Sequence, residues 1–156
     1  MTRIASGIRA LMFLFTLLVF SNRPYAKDIV VKHGVFFGHC VGFCIREIEL
    51  SNTHALYMAT NINRPKVANR KLNGAISKKE WDDLIHSVDQ TTFNGLNDRI
   101  GCPDCSDGGG EWVEIQFNDG SKKRVTFDYG KSPTQIADLV KKLQLIQKQF
   151  DEKIGN

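Results

Sequence analysis

Four cysteines stand in two tight pairs, Cys40-x-x-x-Cys44 and Cys102-x-x-Cys105. Thiols at that spacing support three kinds of chemistry. Two disulfides are one. A tetrahedral zinc site from Cys40, Cys44, Cys102 and Cys105 is the second, with His39 as a substitute ligand, because structural zinc takes paired thiolates a few residues apart. A reactive C-x-x-C redox pair is the third. The second pair sits in GCPDCSDGGGEW (101–112), whose Asp104, Asp107 and Glu111 form a candidate binding loop and, with Asp128, could offer oxygens to calcium. The spacing does not match an EF-hand loop, so a polar loop with turn-capping aspartates is preferred. Ser-Asp-Gly-Gly-Gly, rather than a helix, follows Cys105, and neighbouring aspartates would raise the thiol pKa. Both features disfavour redox catalysis. His33, His39, His54 and His86 are scattered, no serine sits in a nucleophile elbow, and no glycine pattern precedes a helix to cradle phosphate. No catalytic residue is assigned, and no metal is preferred.

The elements that must position these residues alternate between strands and helices. Asp28 to Phe37 reads as one or two short strands around Gly34. In Cys44 to Leu50, Cys44, Arg46, Ile48 and Leu50 share one face, with Ile45, Glu47 and Glu49 on the other. Ser51-Asn52 is a turn, and His54 to Thr60 is the returning strand. Asn61 to Gly74 is polar and basic and reads as an exposed connection. Ser77 and Glu80 fit a capping box, followed by an apolar stripe of Trp81, Leu84, Ile85 and Val88. Val113, Ile115 and Phe117 alternate on one arm of a hairpin, Asn118 to Ser121 supply the turn, and Val125, Phe127 and Tyr129 alternate on the other. Lys122 to Arg124 reads as a solvated strand end. A second helix opens at Ser132-Pro133, with proline at its first position and a stripe of Ile136, Leu139, Val140, Leu143, Ile146 and Phe150. The expected fold is α+β, a mainly antiparallel sheet with two helices packed on one face.

The N-terminus carries a targeting pattern. Arg3 and Arg9 precede the apolar run Leu11 to Phe20, which is too short to span a bilayer comfortably, and a polar segment ending at Ala26 follows. Residues 1–26 read as a signal peptide cleaved after Ala26, with Ser21 as the alternative site. Residues 27–156 then form a single exported domain, periplasmic or secreted. The leader holds three of the 21 basic residues and none of the 17 acidic ones, so the mature chain is close to neutral. That balance gives no case for nucleic acid, and a membrane is met only through the leader before cleavage. In an oxidising compartment an even cysteine count favours disulfides over zinc or free thiols. Four cysteines allow three pairings. Chain entropy favours long links and proximity favours local ones, so the residues alone leave the pairing open.

Cys40-Val41-Gly42-Phe43-Cys44, followed by a strand, a turn and a strand carrying Tyr57, resembles the C-x-G-x-C-P-x-Y opening of an exported bacterial domain family of unknown function. The block GCPDCSDGGGEWVEIQF, with a hairpin and a final helix after it, is similar to a subgroup of that family. The likeness spans about residues 29 to 150. Ile45 stands where the family has proline, and Glu47 where it has tyrosine. Many members carry the first cysteine pair without the second, which implies local bridges, Cys40–Cys44 and Cys102–Cys105. No activity comes with the resemblance. The expectation is a non-enzymatic, disulfide-stabilised domain that binds a protein or envelope component without a cofactor. A zinc-stabilised module and a thiol-redox or hydrolytic enzyme are the competing classes.

Overall fold

The computed structural model describes residues 29–63, 66 and 68–155. The expected leader at 1–26 lies outside them. Among the described residues the chain builds one seven-stranded sheet: β1 (Val30–Phe36), β2 (Ile45–Ser51), β3 (His54–Thr60), β4 (Arg70–Ala75), β5 (Arg99–Ile100), β6 (Gly110–Gln116) and β7 (Lys122–Asp128). The order is β4-β3-β2-β1-β6-β7-β5, antiparallel throughout except for the short β5–β7 pair. The expected α+β class is the observed one.

Register decides which side chains face the core. Val31 lies opposite Leu50 and Ile115, His33 opposite Ile48 and Val113, and Val35 opposite Arg46 and Glu111. Successive side chains on a strand alternate faces. One face therefore carries Val31, His33, Val35, Arg46, Ile48, Leu50, Glu111, Val113 and Ile115. This face is closed by α1 (Lys78–His86), α2 (Gln90–Gly95) and α3 (Ala137–Ile154), whose Trp81, Leu84, Phe93, Leu139, Val140, Leu143, Ile146 and Phe150 join Val31, Ile48, Leu50, Val113 and Ile115 in one buried cluster. The other face is only partly exposed, with Trp112 and Glu114 each buried on it. There the Trp112 ring lies across Gly34, where an added Cβ would fall 2.4 Å from a ring carbon, so only glycine lets the indole lie flat.

The capping box of α1 is present: Glu80 N donates to Ser77 Oγ at 3.1 Å, and Ser77 N donates to Glu80 Oε2 at 2.8 Å. Ser77→Ala is expected to cost about 1 kcal/mol, read as a lower urea midpoint at unchanged slope.

The first segment is a single strand through Gly34, one of the two expected outcomes. Several other elements differ from the sequence reading. Part of the expected connection at 61–74 is the strand β4; its basic, largely exposed edge residues lack the apolar alternation that announces a strand. β5 is two residues long, and α2 buries only Phe93, so neither has a periodic signal. Pro133 keeps an extended ψ of 138° and precedes a 3₁₀ turn, Thr134–Ile136, so α3 starts at Ala137. The basic cluster on β7 is engaged, not simply solvated. Lys123 Nζ donates to the Asn94 and Leu96 carbonyls at the end of α2, and the Arg124 guanidinium lies 3.8 Å from the Trp112 ring centroid.

Candidate functional site

The β1–β2 connection is closed by the Cys40–Cys44 disulfide, and the loop before β6 by Cys102–Cys105, each with a Cα–Cα distance of 5.5 Å. Both bridges are local. Disulfides of this kind persist in oxidising compartments outside the cytosol. With all four sulfurs paired, none is left as a thiolate, and among the described residues no group of three or more His, Cys, Asp or Glu side chains is placed to hold a metal ion.

The acidic residues of the candidate loop part company. Asp104 is an internal strut: its Oδ1 accepts from Gly38 N at 3.3 Å and from Gly109 N at 3.2 Å, joining the two disulfide-bearing loops. Asp107 faces outward toward His39, 3.2 Å away on an exposed surface. Asp128 Oδ1 accepts from Cys102 N at 2.7 Å. The expected turn capping thus holds only for the Asp104–Gly109 contact; Asp104 to Gly38 and Asp128 to Cys102 brace separate segments, across 66 and 26 residues. Glu111 does not belong to the loop. It lies within β6, fully buried, because the register opposite Val35 turns its side chain under α3.

Glu111 there meets His33, which is 1% exposed. His33 Nε2 lies 2.7 Å from Glu111 Oε1, and His33 Nδ1 lies 2.6 Å from Gln147 Oε1. Glu111 is an acceptor, so His33 Nε2 donates to it, and Nδ1 is engaged by the Gln147 side-chain amide. Glu111 also accepts from Gln144 Nε2 at 2.8 Å and from Gly130 N at 3.1 Å. Burial alone would raise the Glu111 pKa. The His33 hydrogen bond and charge, Gln144 and the Gly130 amide outweigh it and hold the carboxyl below its ordinary value. The network is saturated: neither imidazole nitrogen is left to take a proton from a substrate. It ties the centre of the sheet to α3 and Gly130.

Beside it lies a second polar group. Tyr57, from β3, donates its hydroxyl to Asp151 Oδ1 on the last turns of α3, and Arg46 Nη1 lies 3.5 Å from Asp151 Oδ2. Burial, reinforced by the Asp151 hydrogen bond and charge, pushes the Tyr57 hydroxyl well above its ordinary pKa, so it stays a donor. Arg46 and Asp151 line two adjoining hollows. One, about 560 Å³, is walled by Phe37, Val41, Phe43 and Ile154; the other, about 320 Å³, runs past Tyr129 and Lys148 to the His33–Glu111 network. Together they form a cleft between the disulfide-closed 40–44 loop and the end of α3. Its rim is apolar and its floor charged.

Arg46 could have been singled out from the sequence, since it shares an alternating face with Cys44, Ile48 and Leu50, and a cation on a core face needs a reason. Gln147 is harder to find: it flanks the apolar stripe of α3 and reads as surface. His33 and Tyr57 meet their partners across 114 and 94 residues, and no local pattern encodes those contacts. No protein-family model matches the chain, and no curated protein matches it; the geometry of the cleft carries the functional reading.

Proposed function

We propose that the chain is an exported, disulfide-stabilised binding domain, periplasmic or secreted, that takes a protein or envelope component in the cleft beside the Cys40–Cys44 loop. Its likeness to an exported bacterial family of unknown function belongs to this proposal, as does cleavage of residues 1–26. The observation that carries it is the cleft itself: an apolar rim over the Arg46–Asp151 floor, on a scaffold held by a covalent loop and a saturated buried network. Val41, at the tip of the loop, is 90% exposed, a large apolar side chain presented to a partner. The engagement of both His33 nitrogens and the pairing of the cysteines argue for recognition over acid–base or thiol catalysis.

The test has two arms. Mass spectrometry of the mature protein should show a chain beginning after Ala26 or Ser21, lighter by four hydrogens than its reduced form; free thiols carrying stoichiometric zinc would instead establish the zinc module. Capture from envelope extracts should retain a partner on the wild type and lose it on Val41→Asp. Undiminished capture by that variant would reject the cleft, and turnover on a substrate panel that a single side-chain change abolishes would reject the non-enzymatic reading.

A further inference from the structure

The floor of the cleft specifies a ligand more narrowly, an assignment that rests on the binding function proposed above. A guanidinium has five N–H donors. In Arg46 one of them, on Nη1, reaches Asp151 at 3.5 Å, the long limit of a hydrogen bond; Nε is buried out of a ligand's reach, and the terminal nitrogens have no other hydrogen bond among the described residues, on a side chain that is 28% exposed and lines both hollows. Terminal guanidinium nitrogens with donors to spare are suited to a carboxylate, which they can meet with two parallel hydrogen bonds. Lys148, in the adjoining hollow, is 72% exposed and held only by a 4.0 Å contact with Glu152, so it can turn toward an anion. Phe37, Val41, Phe43 and Ile154 surround the entrance with apolar surface. The matching ligand has one carboxylate next to one apolar group.

Asp151 distinguishes two sources of such a ligand. Its Oδ1 accepts from Tyr57, while its Oδ2 has only the long Arg46 contact and can take a donor. An acyl chain has no N–H and would bury that oxygen unpaired, at a cost. A peptide supplies a main-chain amide next to its terminal carboxylate. We propose that the cleft captures the free C-terminus of a polypeptide whose last side chain is apolar. Arg46 takes the carboxylate, Asp151 accepts a main-chain N–H, and Phe37, Val41, Phe43 and Ile154 enclose the side chain. At about 560 Å³ the larger hollow lies within the range of sites that hold small ligands, and it has room for one terminal residue.

Fluorescence anisotropy on the oxidised protein tests this with a labelled five-residue peptide ending in phenylalanine, offered as the free acid and as the C-terminal amide. The acid is expected to bind at least about tenfold more tightly than the amide, the loss associated with one charge-assisted hydrogen bond. Arg46→Gln, checked by melting to be folded, should weaken the acid to the same degree and leave the amide within about twofold. The comparison of acid with amide on the wild type needs no variant and stands if Arg46→Gln fails to fold. Equal affinity for acid and amide would overturn the carboxylate assignment. Dodecanoate binding without peptide binding would overturn the polypeptide. If neither peptide binds while Val41→Asp still abolishes capture from extracts, this assignment falls and the cleft stands; if Val41→Asp changes nothing, the cleft itself falls.

Discussion

Glu111→Ala is expected to destabilise the domain by about 3–5 kcal/mol, because each buried donor left without its acceptor costs about 1–3 kcal/mol. Three donors lose their acceptor at once: His33 Nε2, Gln144 Nε2 and the Gly130 amide. His33 would be left buried, with one ring nitrogen unsatisfied between two core strands. In thermal melts the loss should read as a midpoint about 10–20 °C lower. A loss below about 1 kcal/mol, the level of an ordinary neutral hydrogen bond, would show that the network is not holding the sheet to α3. The same carboxylate predicts an acid limb. Folded Glu111 releases its proton more readily than the unfolded chain, whose carboxyl titrates near the ordinary 4.5. Its contribution is therefore complete above that value and is lost as pH falls through the lower folded value. Glu114, held low by Lys122 and Arg124 against its own burial, adds to that limb. Glu111→Gln should consequently make the decline below pH 4.5 shallower without abolishing it.

Phe150→Ala should cost a similar amount, about 3–5 kcal/mol, as large aromatic truncations in a core do. Phe150 is 1% exposed, stacks on Tyr57 with ring centroids 6.0 Å apart, and lies over Gly74, where an added Cβ would come within 2.7 Å of the ring. It pins the last turns of α3 to β3 and β4. Asp151 and Ile154, on those turns, help to form the cleft. Removing the ring should therefore weaken peptide binding as well as stability, and a binding titration well below the melting midpoint separates the two effects. Full binding by the folded variant would mean that the end of α3 does not need this anchor.

The architecture was legible wherever residues repeat at the period of their element. The stripe of α3 from Leu139 to Phe150 and the alternation in β2 report burial directly, because the fold buries one face of each; β6 is buried on both faces, so its alternation marks only which residues meet the helices. β4 was hidden: an edge strand facing solvent has a polar, basic composition that reads as loop. The site was less legible than the fold. Glu111 was grouped with Asp104 and Asp107 by nearness in sequence, yet one pleat of β6 turns it inward, away from both. Arg46 and Asp151 lie 105 residues apart and meet only after α3 folds back across the sheet. A cleft floored by such a pair is a tertiary product, and neither residue carries a motif.

Site-specific photo-crosslinking in the producing cells tests the central claim, that this cleft is where the partner sits. A photoreactive phenylalanine analogue in place of Val41, 90% exposed on the cleft rim, should give a discrete adduct, whereas the same group in place of Leu145, 58% exposed on α3 and not among the cleft residues, should give none. No adduct from position 41, or equal adducts from both positions, would contradict the account.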